Sequence, residues 1–178
     1  PAHLPVHPSG RYFRNTLLML LLAARDEELG NATLRIVHRL DRETSGVILF
    51  GKGREVAAAL SAQFENREVR KSYLAIVHGI PDQDRFLISA PIGRDTRSVV
   101  RKAMTVTPDG QPARTSVRVL RRGASHSLLL AKPHTGRLHQ IRVHLRHAGF
   151  PVIGDKVYGL DPGLFLRFVD SALTGEDR

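Results

Sequence analysis

The carboxylate best placed for chemistry is Asp41, in His38-Arg39-Leu40-Asp41-Arg42-Glu43-Thr44-Ser45-Gly46. Arginines nearby, Arg39 and Arg42, favour its ionised form, and an ionised carboxylate can act as a nucleophile or a base. Apolar runs rich in β-branched residues lie on either side, Leu34 to His38 and Val47 to Phe50. The spacing predicts two strands separated by a loop that carries Asp41. Taken alone, such a loop fits an aspartate that makes a turn or a surface ion pair better than a catalytic one. Residues far from the loop have to decide the question.

Other combinations with chemical potential are weaker. Gly46-Val47-Ile48-Leu49-Phe50-Gly51-Lys52 nearly matches a phosphate-binding loop, but Gly53 stands where a Ser or Thr would hold magnesium, and Val47 to Phe50 is too apolar for a loop. His134, His139, His144 and His147 fall close together without an HExxH pattern, a cysteine or an acidic neighbour between Lys132 and Gly154. They are expected to contact phosphates or fix local backbone, and no metal is expected. Ser45 lacks the first glycine of a nucleophile elbow, which argues against serine hydrolase chemistry.

The elements that must position these residues follow from periodicity. Pro1 to Gly10 reads as an extended lead-in, followed by a helix from an Asn15 or Thr16 cap to about Gly30. Arg54 to Asn66 spaces Val56, Leu60 and Phe64 as the core face of an amphipathic helix. Val69 to His78 has strand character around Tyr73, and Thr115 to Arg121 forms a hairpin with Ser127 to Ala131 through Gly123. Arg137 to Ala148 reads as a helix with Ile141, Leu145 and Ala148 on one face, Arg142 and Arg146 on another, and Gly149 at its end. This mixture predicts an α+β domain.

Composition narrows the partner. Lys and Arg number 27 against 17 Asp and Glu, a net charge of +10, which favours a polyanion such as RNA through phosphate neutralisation. The absence of cysteine excludes disulfides and thiolate zinc sites and agrees with a reducing compartment, so a cytoplasmic location is expected. Leu17 to Ala24, the longest apolar run, is far short of the roughly 18 residues that cross a bilayer, so no membrane partner is expected. A monomer is expected, since no dimerisation helix stands out.

Three separated patterns together resemble the RluA-type family of RNA pseudouridine synthases. They are the His38 to Gly46 segment, Lys71-Ser72-Tyr73, and Pro133-His134-Thr135-Gly136-Arg137-Leu138-His139-Gln140-Ile141-Arg142-Val143-His144, followed by Gly154-Asp155 and Tyr158-Gly159. Leu138 stands where the family commonly has Thr or Ser. The resemblance implies a pseudouridine synthase fold, a mixed, mainly antiparallel sheet flanked by helices and loops, with residues 1–178 as one catalytic domain. In the family a strand ending in Lys-Pro precedes this region and another strand follows it. Those sheet edges, and the S4 domain that some members carry, are expected to lie outside this stretch.

The resemblance also implies roles. Asp41 would start the isomerisation of uridine, either adding as a nucleophile to sugar or base or removing the C2′ proton. Arg142 would pair with that carboxylate, and Tyr73 would stack on the uracil and relay the proton lost from C5. Arg39 would fill the space that the flipped uridine leaves. Lys71, Arg137, His139 and Arg146 would bind the RNA backbone, while Leu40 and Ile141 fit either a pocket wall or core packing. The reaction consumes no redox or phosphoryl group, so no cofactor is expected, and ribosomal and transfer RNA are both open as substrates. The competing reading is an RNA-binding module on the same fold without turnover. A third reading, a metal-dependent nuclease, would require chelator-sensitive RNA cleavage.

Overall fold

Alternation of apolar and charged residues from Thr115 to Arg121 produces the longest strand among the described residues. The structure is a computed structural model that describes residues 2–8, 14–24, 33–161 and 163–169. The chain divides into two compact units, Pro1–Val69 and Arg70–Arg178.

In the first unit, α1 (Leu17–Ala23) begins at the expected cap: the Thr16 hydroxyl accepts from the Met19 amide at 3.3 Å. The proline-rich lead-in has a second use here. Its carbonyls at Pro5 and Val6 accept from the Leu17 and Leu18 amides, which a helix start leaves without intrahelical partners. The expected continuation of this helix to Gly30 lies outside the described residues. Strands β1 (Leu34–Ile36) and β2 (Phe50–Lys52) pair antiparallel, with Arg35 opposite Gly51, and α2 (Arg54–Glu65) follows at once.

Two expectations for this unit are shifted in register. The second strand covers Phe50–Lys52 rather than Val47 to Phe50, and Val47 is 79% exposed. The cause is steric. A β-carbon on Gly51 would lie 2.4 Å from the α-carbon of Ala57, so β2 can approach α2 this closely only at a glycine. The same contact resets the buried face of α2. Ala57 is buried with Leu60, Ser61 and Phe64 half-buried, while Val56 is half-exposed rather than core.

In the second unit, β3 (Tyr73–His78), β4 (Arg85–Ser89), β7 (Arg114–Arg122) and β8 (His126–Pro133) form an antiparallel sheet in the order β3-β8-β7-β4. The β7–β8 hairpin is the expected one, with Val117 and Val119 buried and Arg118 exposed. Strand β3 starts at Tyr73, opposite Ala131, rather than at Val69. Its partner β8 ends at Pro133, which has no amide hydrogen to extend a ladder.

The hairpin of β5 (Ile92–Arg94) and β6 (Met104–Val106) and the helices α3 (Gln140–His147) and α4 (Leu164–Val169) complete this unit. Val77, Leu129 and Leu145, all fully buried, centre a core between one sheet face and α3. The C-terminus of α3 is closed as expected at Gly149, in the left-handed region at φ +86°. Its amide donates to Arg146 O and that of Phe150 to Leu145 O, the paired bonds of a Schellman stop.

The Gly51 contact yields a test. Gly51→Ala is expected to destabilise the first unit by about 1–3 kcal/mol through overpacking, seen as a lower urea midpoint by circular dichroism. An unchanged midpoint would show that β2 and α2 do not meet this closely.

Candidate active site and nucleic-acid interface

In the first unit, the loop between β1 and β2 carries Asp41 as expected. Asp41 is half-buried and opens a turn that the Thr44 amide closes on its carbonyl at 2.9 Å. Two other residues brace the loop. The His38 ring stacks on Phe64 with centroids 4.7 Å apart, and its Nε2 accepts from the Leu49 amide at 3.0 Å. Arg42 is engaged by Glu43 at 2.7 Å, and the Arg42 carbonyl accepts from the His3 amide. Arg39 is exposed. Leu40 faces an apolar cavity of about 290 Å³ that Leu17, Leu21, Ile48 and Phe50 also line. Across the former phosphate-loop match, Val47 to Leu49 runs outside the sheet while Gly51 and Lys52 pair within it.

In the second unit, Tyr73 is the first residue of β3 and is half-buried, in phase with the core residues Ala75 and Val77. Lys71 reaches the segment before α3, its Nζ lying 3.8 Å from where a β-carbon on Gly136 would stand. That segment is not helical, although helix was expected from Arg137. His139 adopts a left-handed conformation at φ +55°, which breaks the helix, and α3 begins only at Gln140.

Gln140 sets the shape of this segment. Its Oε1 accepts from the Thr135 hydroxyl at 2.6 Å and the Arg137 amide at 3.0 Å. Its Nε2 donates to Arg114 O at 3.0 Å and to Thr115 Oγ1 at 2.9 Å. The chain of bonds continues into His144, which is fully buried. Nε2 of His144 donates to Ala90 O at 2.9 Å, because a carbonyl can only accept, and Nδ1 takes the Thr115 hydroxyl hydrogen at 2.9 Å. Burial lowers the His144 pKa, and this outweighs the bond to Ala90, which raises it.

The cations of α3 are placed differently. Arg142 makes a two-bond fork on the buried Asp155, Nε to Oδ2 and Nη2 to Oδ1, each at 2.7 Å. Burial alone would push the Asp155 carboxyl up. The hydrogen bonds and charge of Arg142, with the Tyr158 and Val157 amides, outweigh burial and hold it below the ordinary carboxylate range. The Arg142 guanidinium stacks over the Tyr158 ring at 4.8 Å, and the Tyr158 hydroxyl lies 2.7 Å from His139 Nδ1. Arg137 Nε donates to Pro112 O at 3.2 Å, and the exposed Arg146 reaches Val157 O at 3.4 Å. Ile141 packs against the sheet core of this unit.

The second unit therefore brings Lys71, Arg137, His139, Arg142 and Arg146 onto or beside one helix start and its flank. Asp41 and Arg39 belong to the first unit. Three residues that organise the site were given no role beforehand, Gln140, Asp155 and Tyr158, while His144 was named only among the histidines expected to contact phosphates or fix local backbone, and it does bond the Ala90 carbonyl. The available signal was Gln140 and His144 one helical turn apart, polar residues in the same helix phase as Val143, a pattern that asks for buried partners. Among the described residues no group of His, Asp or Glu side chains could hold a metal ion, and no helix is long and apolar enough to cross a membrane.

Comparison with known proteins places this geometry in context. Residues 1–147 match the RNA pseudouridylate synthase family. An uncharacterised RNA pseudouridine synthase of Chloroflexus aurantiacus is 47% identical over 161 residues, covering 89% of this chain and 50% of the relative. The ribosomal large subunit pseudouridine synthase D of Nitrosomonas europaea is 42% identical over 159 residues, covering 89% and 45%. The chain thus spans about half the length of these relatives. Among solved structures, human RNA pseudouridylate synthase domain containing 4 superposes with a TM-score of 0.71 at 28% identity, covering 90% of this chain and 64% of that one. Human RNA pseudouridylate synthase domain containing 1 does so with a TM-score of 0.68 at 34% identity, covering 73% and 57%.

The His144 network sets a pH dependence. Its pKa is lowered from 6.5 on folding, so between the folded value and 6.5 the unfolded chain binds the extra proton. The contribution of His144 to stability is complete above that ordinary value and is lost as pH falls through the folded one. His144→Gln is expected to cost about 1–3 kcal/mol at pH 7 by unpairing buried groups. It should also flatten the fall in urea midpoint that sets in as pH drops below the ordinary imidazole value of 6.5. Parallel pH profiles for the two proteins would contradict the assignment.

Proposed function

The chain belongs to the RluA-type RNA pseudouridine synthases, and on that premise we propose that the protein isomerises specific uridines to pseudouridine in structured RNA, with Asp41 as the essential carboxylate. The observation that carries this reading is the joint presence of Asp41, Tyr73 and Arg142 in their three motifs within a chain that matches the family. A pure RNA binder has no need of a carboxylate facing phosphates.

The reaction breaks the N1–C1′ bond, turns the uracil in its pocket and rejoins it through C5. Asp41 starts it, by addition to sugar or base or by removing the C2′ proton. Arg142 pairs with that carboxylate and orients it. Tyr73 stacks on the uracil and relays the proton that leaves C5. The uridine must leave its stack, and the exposed Arg39 takes the vacated space. Lys71, Arg137, His139 and Arg146 hold the RNA backbone. The proposal includes action as a monomer in the cytoplasm, without metal or cofactor. Its substrate is ribosomal or transfer RNA, with the names of several relatives favouring the ribosomal large subunit.

Release of tritium from RNA carrying 5-tritiated uridine, with chelator present and no nucleotide added, is the expected outcome. Asp41→Asn should lower the rate at least about 1000-fold while melting temperature and RNA affinity hold. Undiminished release by that variant would remove Asp41 from the mechanism. RNA binding with no release by the unaltered protein would favour a module that binds without turnover.

A further inference from the structure

Arg142 has a part in the proposed reaction and Asp155 has none. Yet four bonds converge on the Asp155 carboxylate, whose side chain is 3% exposed. Two come from the Arg142 fork, and two from the Val157 and Tyr158 amides, each 3.0 Å from Oδ1. The backbone around Asp155 is itself closed, because the Gly159 amide donates to the Asp155 carbonyl at 2.9 Å. The carboxylate is thereby fixed by main-chain groups, and it fixes the guanidinium in turn.

The ring of Tyr158 completes the constraint. Tyr158 is 3% exposed, and its hydroxyl accepts from the Met104 amide at 2.9 Å and lies 2.7 Å from His139 Nδ1. The Arg142 Cζ lies 4.8 Å from the centroid of this pinned ring, which confines the guanidinium on that side while the two-bond fork fixes its direction. The fork uses two of the five guanidinium donors, so the same group is chemically able to serve a second acceptor at a defined angle. A buried ion pair is poorly suited to stability alone, since desolvation offsets much of its attraction. It is well suited to holding a direction.

We propose that Asp155 is a positioning residue: it orients Arg142 toward the catalytic carboxylate and contributes to turnover only through Arg142. This rests on the reading that Arg142 pairs with Asp41. Asp155→Asn keeps the shape and the oxygen that the two amides address, but sets an amide donor against the fork. Asp155→Ala removes the fork without that clash.

In the full-length protein, both variants are expected to lower kcat for tritium release about 10- to 100-fold, the usual scale for losing a group that orients a reacting one. KM for RNA should stay near that of the unaltered protein, whereas the melting temperature falls in both variants because Arg142 loses its buried partner, so kcat is compared at a temperature where circular dichroism shows each variant folded. In an Arg142→Met background, Asp155→Asn should change kcat by less than about twofold, because coupled residues do not add. A merely structural role would instead give the same loss in both backgrounds, and that result overturns the proposal. So does a kcat unchanged in both variants, or failure of both to yield folded protein. Absence of release by the unaltered protein would strike the isomerase reading itself, and the proposal with it.

Discussion

Every polar atom carried under α3 must find a partner, and the second unit is arranged around that requirement. Leaving one buried amide, hydroxyl or imidazole unpaired costs about 1–3 kcal/mol, comparable to removing a core methyl group or two. Gln140 and His144 of this helix, with Thr115 of β7 beneath it, bury all three kinds. The bonds run without a gap from the Arg114 amide to Thr135, then Gln140, Thr115 and His144, and end on the Ala90 carbonyl. Among the described residues no buried side-chain nitrogen or oxygen lacks a partner. The helix cannot slide along β7 or rotate without breaking several of these bonds, so its outward side chains inherit a fixed origin. Arg137, His139 and Arg142 start from that origin, and contacts with Pro112, Tyr158 and Asp155 then hold each in turn.

Charge follows the same division between tied and displayed groups. Arg42, Arg122 and Arg142 are each engaged by a carboxylate nearby. Other cations stand outward, and some stand against one another: Arg85 lies directly opposite Arg118 in the β4–β7 register, both exposed. Like charges so paired weaken a sheet by a few tenths of a kcal/mol or more. A net charge of +10 spread in this way costs the folded state some self-repulsion, which a polyanionic partner relieves. Under the proposed function, RNA phosphates are what would relieve it.

What the sequence disclosed depended on whether the cause was local. The β7–β8 hairpin was legible because Val117 and Val119 alternate with Arg118 and Gly123 marks the turn. The Thr16 cap and the Gly149 stop were legible for the same reason, since each acts on its own helix. The face of α2 was not. Apolar spacing favours Val56, but the close approach of Gly51 to Ala57 selects the neighbouring line of residues, and that contact lies outside any periodicity. The start of α3 was also hidden, because a non-glycine residue in the left-handed region, His139, gives no compositional sign. For the site, local sequence left Asp41 closer to an ordinary turn residue, and it does close a turn with Thr44. Only the three motifs together raised it. The grip of Asp155 on Arg142 spans thirteen positions, and its partner amides come from backbone that composition does not describe.

The energetics of that grip explain why an ion pair stands where a hydrophobic contact would fold as well. Removing two charges from water costs several kcal/mol per ion, and a pair of apolar residues of similar volume often stabilises a core equally or better. An apolar contact, however, fixes position without fixing direction, because dispersion has no preferred angle. The Arg142 fork is two-bonded, which fixes direction, and the Tyr158 ring packs 4.8 Å from its Cζ. Burial raises the stake further: with one partner deleted, the other charge is left uncompensated at about 3–5 kcal/mol. The two residues thus constrain each other, and the fold accepts a marginal net gain in stability in return for a cation whose orientation is set before any substrate arrives.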